Sequence, residues 1–301
     1  MIAIISHDAG GAEVLSSWLL RGQGDYCLVL EGPAINIFNS KLGRQEVKKL
    51  EEALSISELI VCGTGWQSSF EVNAIKEARA KGKRVVAFLD HWVNYLQRFE
   101  FEGTHYFPDE IWVTDEYAMK SAQEIFQNIT VINKGNPYLE DITKKIKFIQ
   151  KKGNQDGEGN SILYVCEPIR EHALLSCGNE MLNGYTEESA AEFFFDNVKN
   201  IYQKISKIVI RPHPSESKEK YNWLISKYNT MNIEISNNDN LLDDVVNADT
   251  VVGCESMALV VGLLAGKCVI STIPFGGKLC SLPHKNINHM YKILSLNGAY
   301  N

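Results

Sequence analysis

The sequence has no long apolar run, no paired cysteines and no excess of basic residues, and each absence excludes a class of protein. No apolar run approaches the ~20 residues that a membrane-spanning helix needs. The seven cysteines form no CxxC pair and no cluster with the spacing of a zinc site. The formal net charge of −7 argues against a nucleic-acid partner, which would call for a basic face.

The cysteines and the N-terminus also bear on the cellular compartment. Most of the cysteines lie in apolar, strand-like segments, which indicates free thiols in a reducing environment. The first residues, MIAIISHDAGG, lack the basic flank and apolar core of a signal peptide. A dense basic run at 144–152 is interpreted as a solvated helix face, with contact to a membrane surface or an acidic ligand as the alternative. We expect a cytoplasmic protein, or one peripheral to the inner face of the membrane.

Short apolar runs alternate with helical stretches along the chain, a pattern typical of parallel βαβ units in a doubly wound sheet. A glycine-rich polar stretch, residues 151–160, separates two such series. The sequence therefore predicts an α/β fold of two Rossmann-like domains, residues 1–152 and 153–301, with parallel sheets facing across a cleft. The predicted strands are Ile2–Ser6, Tyr26–Leu30, Leu59–Cys62, Val85–Leu89, Glu110–Val113, Thr130–Asn133, Ile162–Cys166, Lys207–Arg211, Ile233–Ile235, Thr250–Gly253 and Cys268–Ser271. The predicted helices include Phe70–Lys81, Asp115–Gln127 with Asp115 as its cap, Glu187–Ile205, Glu216–Tyr228, Asn240–Ala248 and Ser256–Ala265.

A loop with an acidic residue and two glycines follows the first predicted strand. Gly10 and Gly11 would let backbone amides approach a ligand closely, and a helix N-terminus attracts negative charge. The spacing is not GxGxxG, so a dinucleotide fingerprint is not supported. Asp8, at the strand end, is a candidate general base, while the alternative is that it caps the helix. Asp90, which follows another buried strand, is the second candidate for the base.

The segment Arg211-Pro212-His213-Pro214 runs from a predicted strand directly into a rigid turn, because each proline fixes φ and favours an extended residue before it. This geometry would hold the His213 imidazole at a strand end. An imidazole there can donate a hydrogen bond or a proton to a phosphate oxygen as charge develops on a leaving nucleotide. Arg211 would assist electrostatically, unless it points away. The alternative is a histidine that is simply satisfied inside its turn.

The segment Gly253-Cys254-Glu255-Ser256 is a turn of mostly small residues between a predicted strand and a predicted helix. The Ser256 hydroxyl and the amides of the first helical turn are a candidate phosphate cradle, with an ordinary N-cap as the alternative. Glu255 would repel a phosphate, and we interpret it as an acceptor for a ribose hydroxyl or as a helix N-terminal charge. Glu167, after the first strand of the second half, is a candidate for binding ribose or base, or lies in a surface turn.

The segments around His213-Pro214 and Ser256 resemble those of GT-B transferases, and most closely those of bacterial sialyltransferases and polysialyltransferases. Capsule Kdo transferases and CDP-glycerol glycerophosphotransferases are similar as well. The resemblance covers residues 160–275 and extends to the first half only by architecture. In the sialyltransferase-like groups an HP pair and a later serine contact the phosphate of a CMP-sugar, which here implies His213, Pro214 and Ser256. The family's acidic-acidic-Gly motif is absent from the first half, and Asp8-Ala9-Gly10-Gly11 is its nearest counterpart.

The resemblance implies a glycosyltransferase that inverts the configuration at the anomeric carbon of the sugar and needs neither a metal nor a cofactor. The donor would be a CMP-linked nonulosonic acid or Kdo, bound mainly by the second half, and the acceptor a glycan or glycolipid of the cell surface. Asp8 or Asp90 would deprotonate the acceptor hydroxyl, and His213 and Ser256 would stabilise the departing phosphate. The absence of a DxD motif fits a metal-independent reaction.

Three alternatives remain open at the level of sequence. A non-hydrolysing sugar-nucleotide epimerase uses the same double Rossmann architecture, but it would need several carboxylates and an arginine cluster. A CDP-glycerol-type glycerophosphotransferase would move the glycerol together with its phosphate. A non-catalytic protein that keeps the GT-B fold would bind its ligand without turnover.

Overall fold

The computed structural model describes residues 1–22, 24–65, 68–151 and 159–296. The chain divides into two compact units, unit 1 (Met1–Asp141) and unit 2 (Ile142–Asn301). The division falls inside a helix, whereas the predicted boundary near residue 153 lies outside the described residues. Among the described residues no helix is both long and apolar enough to cross a lipid bilayer.

Unit 1 is built on a six-stranded parallel sheet with the order β2-β1-β3-β4-β7-β8. Its central strands are buried along nearly their whole length, because helices cover both faces of a parallel sheet. A two-residue antiparallel pair, β5 and β6, interrupts the alternation. The elements are β1 (Ile2–Ser6), α1 (Ala9–Leu19), β2 (Tyr26–Leu30), α2 (Pro33–Leu42), α3 (Leu50–Ile56), β3 (Leu59–Cys62), α4 (Phe70–Ala80), β4 (Arg84–Leu89), β5 (Glu100–Phe101), β6 (Thr104–His105), β7 (Glu110–Val113), α5 (Glu116–Ile125), β8 (Thr130–Asn133) and α6 (Pro137–Gln150), which continues into unit 2.

Unit 2 repeats the plan with the strand order β11-β10-β9-β12-β13-β14, again wholly parallel. Aromatic side chains, among them Tyr164, Phe194 and Phe195, fill the core against one face of its sheet. The elements are β9 (Asn160–Val165), α7 (Ile169–Cys177), α8 (Glu187–Asn197), β10 (Ile205–Arg211), α9 (Asn222–Lys227), β11 (Ile233–Ile235), α10 (Leu241–Asn247), β12 (Thr250–Gly253), α11 (Met257–Leu264), β13 (Cys268–Ser271), β14 (Ile287–His289) and α12 (Met290–Leu296).

The strand order reverses once in each sheet, and this reversal locates the candidate sites. In unit 1 it falls between β1 and β3, and in unit 2 between β9 and β12. At such a point the loops that leave the carboxyl ends of neighbouring strands diverge to opposite faces and open a crevice for ligands. The prediction of two Rossmann-like, parallel α/β domains is confirmed.

The predicted strands agree with the observed ones to within two residues at each end, whereas two of the predicted helices are wrong in length. The helix predicted over Glu187–Ile205 ends at Asn197, whose side chain donates a hydrogen bond back to the Phe193 carbonyl at 2.9 Å. The helix predicted over Glu216–Tyr228 begins as a 3-10 turn, where Ser217 accepts from the Glu219 amide. The predicted Asp115 cap is confirmed, because its carboxylate accepts from the Ala118 amide at 2.7 Å.

Candidate functional site

Three carboxylates and one guanidinium lie together at the carboxyl edge of the unit 1 sheet. Asp8 follows β1, Asp90 follows β4, and Glu71 lies in the first turn of α4, the helix that follows β3. Arg98 lies in the 3-10 turn before β5. We call these four residues the acidic cluster. It adjoins the point where the strand order reverses, and its formal charge is −2.

Arg98 compensates the charge of Asp90. Its Nη1 lies 2.7 Å from Oδ1 of Asp90, and the two side chains are only 4% and 9% exposed. The same guanidinium donates to the backbone oxygen and the hydroxyl of Thr64, and to the Val93 carbonyl. Arg98 therefore engages one oxygen of the Asp90 carboxylate directly.

The Asp8 carboxyl group makes no capping hydrogen bond and has a raised pKa. It occupies the N-cap position of α1 with extended backbone angles, yet its side chain accepts no hydrogen bond from the first turn. Helix capping therefore does not account for it. Burial raises the pKa of the Asp8 carboxyl, and the nearby charges of Asp90 and Glu71 raise it further. A carboxylate with a raised pKa is better matched to accepting a proton near neutral pH.

Gly10 and Gly11 allow the loop after β1 to pack closely against its neighbours. A Cβ at Gly10 would lie 2.0 Å from Oδ2 of Asp90, and a Cβ at Gly11 would lie 3.3 Å from Cα of Gly63. Both glycines are thus required by contacts within unit 1. Their predicted part in binding a nucleotide remains a prediction.

His213 lies in the turn after β10, and its hydrogen bonds assign the imidazole tautomer. The Ser215 amide donates to Nδ1 at 3.2 Å, and the Ser215 hydroxyl lies 2.8 Å from the same atom. Because a backbone N–H can only donate, Nδ1 is unprotonated and Nε2 carries the proton. Partial burial lowers the pKa of His213, because burial penalises the charged ring, and it therefore favours the neutral imidazole. His213 therefore presents a single donor at Nε2.

A buried charge network holds the His213 turn. Oε2 of Glu216 accepts from the His213 amide at 3.1 Å, and the same carboxylate accepts from the Tyr221 hydroxyl. Lys220 bridges Glu216, at 2.6 Å, and Glu187, and both carboxylates are nearly inaccessible to water. The imidazole is thus positioned by a pre-formed turn, as the proline-rich sequence predicts.

The Glu167 carboxylate is hydrogen-bonded to backbone amides in the loop that leads into α11. Its Oε1 accepts from the amides of Cys254 and Glu255, each at 2.9 Å. Burial raises the pKa of Glu167 to about 7, with a further contribution from the charge of Glu255, while the amide hydrogen bonds oppose the shift. Glu167 therefore ties the end of β9 to the loop after β12, on either side of the strand-order reversal.

Ser256 is the N-cap of α11, and its hydroxyl accepts from the Ala258 amide at 3.1 Å. The hydroxyl proton remains available as a donor. Oε2 of Glu255 accepts from the Ser281 amide at 2.9 Å, which ties it to the loop after β13. Glu167 and Ser256 already accept hydrogen bonds from three amides of this segment. A phosphate bound at the predicted amide site would have to compete with them.

His213 and Ser256 follow β10 and β12, the two strands that flank β9. They share the carboxyl edge of the unit 2 sheet, roughly 10 Å apart at the level of the strands. Pro214 lies on the surface of the His213 turn. Arg211 is directed elsewhere, because its guanidinium pairs with the buried Asp244 at 2.6 Å and donates to the carbonyls of Asn238 and Asp239.

Three residues that the sequence does not single out lie next to the predicted site residues. In unit 1 these are Glu71 and Arg98, which lie 63 and 90 residues after Asp8 along the chain. In unit 2 the His172 ring lies beside His213, with ring centroids 6.4 Å apart. Within the described residues no group of three or more histidine, cysteine, aspartate or glutamate side chains has the geometry to hold a metal ion.

No protein-family model and no curated protein sequence matches the chain. Solved structures do resemble it. The UDP-GlcNAc 2-epimerase from Methanocaldococcus jannaschii has a TM-score of 0.57 at 12% identity, over 90% of this chain and 83% of that one. The UDP-GlcNAc 2-epimerase from Neisseria meningitidis bound to UDP-GlcNAc has a TM-score of 0.54 at 10% identity, over 92% and 83%. MurG from Acinetobacter baumannii has a TM-score of 0.51 at 10% identity, over 99% and 82%.

Identities of 10–12% establish the fold and leave the activity open. The likeness extends over nine-tenths or more of the chain, so it includes both units. The chain therefore has the GT-B fold, with two Rossmann-like domains.

Proposed function

We propose that the chain is a metal-independent, inverting glycosyltransferase. Its donor is a CMP-linked nonulosonic acid or Kdo, and its acceptor is a hydroxyl group of a surface polysaccharide or lipopolysaccharide. The observation that carries the proposal is the tautomer of His213, which places a neutral imidazole with one donor, Nε2, at the carboxyl edge of the unit 2 sheet. A donor in that position suits the phosphate of a leaving nucleotide.

The proposed reaction is a single displacement. The acceptor oxygen attacks the anomeric carbon, and the bond from that carbon to the phosphate oxygen breaks, so the electron pair leaves with the nucleotide. Asp8 takes the proton of the acceptor hydroxyl. His213, through Nε2, and the Ser256 hydroxyl donate to the phosphate oxygens as their charge develops. Glu255 precedes Ser256 in the chain, and Glu167 accepts from the Cys254 and Glu255 amides. In the proposal these two carboxylates accept from a ribose hydroxyl of the donor.

A thermal-shift comparison of CMP, CDP, UDP and GDP tests the choice of donor. A nucleotide at 100 times its Kd should stabilise the protein by roughly 2.7 kcal/mol. Stabilisation by CMP supports the proposal, whereas a preference for CDP would favour glycerophosphate transfer. The Asp8→Asn and His213→Asn variants should then lose turnover of the CMP-sugar while remaining folded. Full turnover in both variants would refute the mechanism, and binding without turnover by the unmodified protein would indicate a non-catalytic role.

A sugar-nucleotide epimerase is the second candidate, and the acidic cluster favours it. Such an enzyme needs several carboxylates and an arginine cluster. Unit 1 brings together three carboxylates, which meets the first need, but with a single arginine, Arg98. Two of the similar solved structures bear the name UDP-GlcNAc 2-epimerase. Incubation of UDP-GlcNAc with the protein alone separates the two functions, because an epimerase converts its nucleotide sugar without an acceptor. An epimer among the products would replace the transferase proposal.

Peripheral contact with the inner face of the membrane is part of the proposal for a glycolipid acceptor. Lys144, Lys145 and Lys147 are exposed on α6, and Phe148 beside them is 61% exposed. Basic side chains next to an exposed aromatic suit the surface of an anionic membrane. Co-sedimentation with phosphatidylglycerol vesicles, but not with phosphatidylcholine vesicles, is expected. Equal recovery of the protein with both would argue against this contact.

A further inference from the structure

Glu71 is a fully buried carboxylate that holds the backbone of the proposed base. It lies in the first turn of α4 and has no exposed surface. Its Oε1 accepts from the His7 amide at 2.7 Å and from the Asp8 amide at 3.1 Å. Hydrogen bonds to a charged acceptor are stronger than those between neutral groups. Glu71 therefore fixes the backbone from which the Asp8 side chain projects.

The second oxygen of Glu71 has a different environment. Among the described residues, Oε2 is buried without a hydrogen-bond partner. A Cβ at Gly65 would lie 3.5 Å from this oxygen and 3.3 Å from Cβ of Asp8, so Gly65 leaves room for both side chains. A buried and unpaired carboxylate oxygen is costly for stability.

We infer that Glu71 is the positioning residue of the proposed base: it holds the Asp8 backbone through one oxygen, and its second, unpaired oxygen leaves a buried negative charge beside the Asp8 side chain. The inference rests on the proposed function, since it assigns Asp8 the role of base. Glu71 acts through Asp8 and need not touch the substrate.

The other charged groups around Asp8 leave this role to Glu71. Arg98 lowers the pKa of the Asp8 carboxyl, but its ion pair is with Asp90, at 2.7 Å. His7 lowers the pKa as well, whereas burial, Asp90 and Glu71 raise it, in that order. Of the groups that raise it, only Glu71 also holds the loop that carries Asp8.

Two variants separate the two parts of the role. Glu71→Gln keeps an oxygen that can accept both amides and removes the charge, whereas Glu71→Ala removes both. Glu77→Gln, on the same helix, is the control, because Glu77 is not among the groups that shift the pKa of Asp8. In the full-length protein, carboxyl-carbon NMR of labelled aspartate follows the titration of Asp8, and amide hydrogen exchange follows the His7 and Asp8 amides.

The Glu71→Gln variant should lower the pKa of Asp8 and leave the exchange of the two amides unchanged. The Glu71→Ala variant should speed that exchange by about tenfold or more, as expected for the loss of a buried hydrogen bond. A purely structural role would not move the titration of Asp8 in Glu71→Gln.

Two results would overturn the inference. The first is an Asp8 titration in Glu71→Gln that matches Glu77→Gln, and the second is unchanged amide exchange in Glu71→Ala. If Glu71→Ala does not fold, the titration in Glu71→Gln alone decides. These measurements need no substrate, so failure of the proposed function is seen separately, as full turnover in Asp8→Asn.

Discussion

Replacing Arg98 by methionine tests the electrostatic arrangement of the acidic cluster. Methionine keeps much of the length and apolar volume of the arginine stem and removes the guanidinium. The change leaves the Asp90 carboxylate buried without its partner, next to Asp8 and Glu71. The Thr64 and Val93 carbonyls lose a donor as well.

The expected cost follows from the burial of the pair. Removing one partner of a buried ion pair destabilises a protein by ~3–5 kcal/mol, because the remaining charge is left uncompensated. Arg84→Met is the matched control in the same unit. Arg84 is 65% exposed and pairs with Glu110 at 3.2 Å, and a pair of that kind contributes only ~0–1 kcal/mol.

The pH dependence gives the prediction its sign. Arg98 lowers the pKa of Asp8, so its removal should raise that pKa further above 3.8. A carboxyl group with a raised folded-state pKa contributes stability below its unfolded-state pKa and loses that contribution as the pH rises through the folded-state value. The deficit of Arg98→Met relative to the unmodified protein should therefore be smaller at pH 4 than at pH 8.

Urea unfolding followed by tryptophan fluorescence measures this effect, because Trp18, Trp92 and Trp112 all lie in unit 1. The double variant Arg98→Met with Asp90→Asn should recover part of the loss, since it removes the orphaned charge. A cost no larger than that of Arg84→Met, or one that does not change between pH 4 and pH 8, would refute the electrostatic reasoning.

Three further predictions concern single positions. Gly10→Ala should lower the free energy of unfolding by ~1–3 kcal/mol, because its Cβ would lie 2.0 Å from the Asp90 carboxylate, which Arg98 holds in place. Gly22→Ala is the control: a Cβ there would have its nearest neighbour at 3.7 Å, so the urea midpoint should hardly change. The raised folded-state pKa of Glu167 makes its ionisation costly, so the stability of unit 2 should fall between pH 4.5 and about 7, and Glu167→Gln should reduce this fall. The melting temperature measured across this pH range checks it, and the same pH dependence in the variant and the unmodified protein would contradict it. His213→Asn should lower the turnover of the CMP-sugar by ~10²-fold or more, measured as CMP release.

The strands could be predicted from the sequence because burial on both faces leaves a simple signal. In β1 and β3 nearly every residue is apolar and buried, and turn residues bound each run. Helix ends were harder to predict. Helix α8 changes to a 3-10 turn at Val198, and a 3-10 turn precedes α9, and no hydrophobic pattern indicates either change. The strand β14 escaped prediction, since its three residues, Ile-Asn-His, carry little β signal.

Candidate site residues can be read from the sequence where the motif is local, and not where the cluster is assembled by the fold. Asp8 and His213 each lie two residues after a strand, near glycine or proline, and such positions can be read from the sequence. Glu71 looks like an ordinary acidic residue in the first turn of a helix, where it would complement the helix dipole. Only the fold shows that its side chain turns back to the amides of His7 and Asp8.

Each unit contains a buried glutamate that accepts hydrogen bonds from two consecutive loop amides, and this bears on how a nucleotide would bind. In unit 1 Glu71 accepts from two consecutive amides of the loop after β1, and in unit 2 Glu167 accepts from two consecutive amides of the loop after β12. Paired amides of this kind commonly bind phosphate. With a carboxylate already there, a phosphate must rely on side-chain donors instead. The affinity for a nucleotide should therefore depend on His213 and the Ser256 hydroxyl more than the strand–turn–helix motif alone suggests.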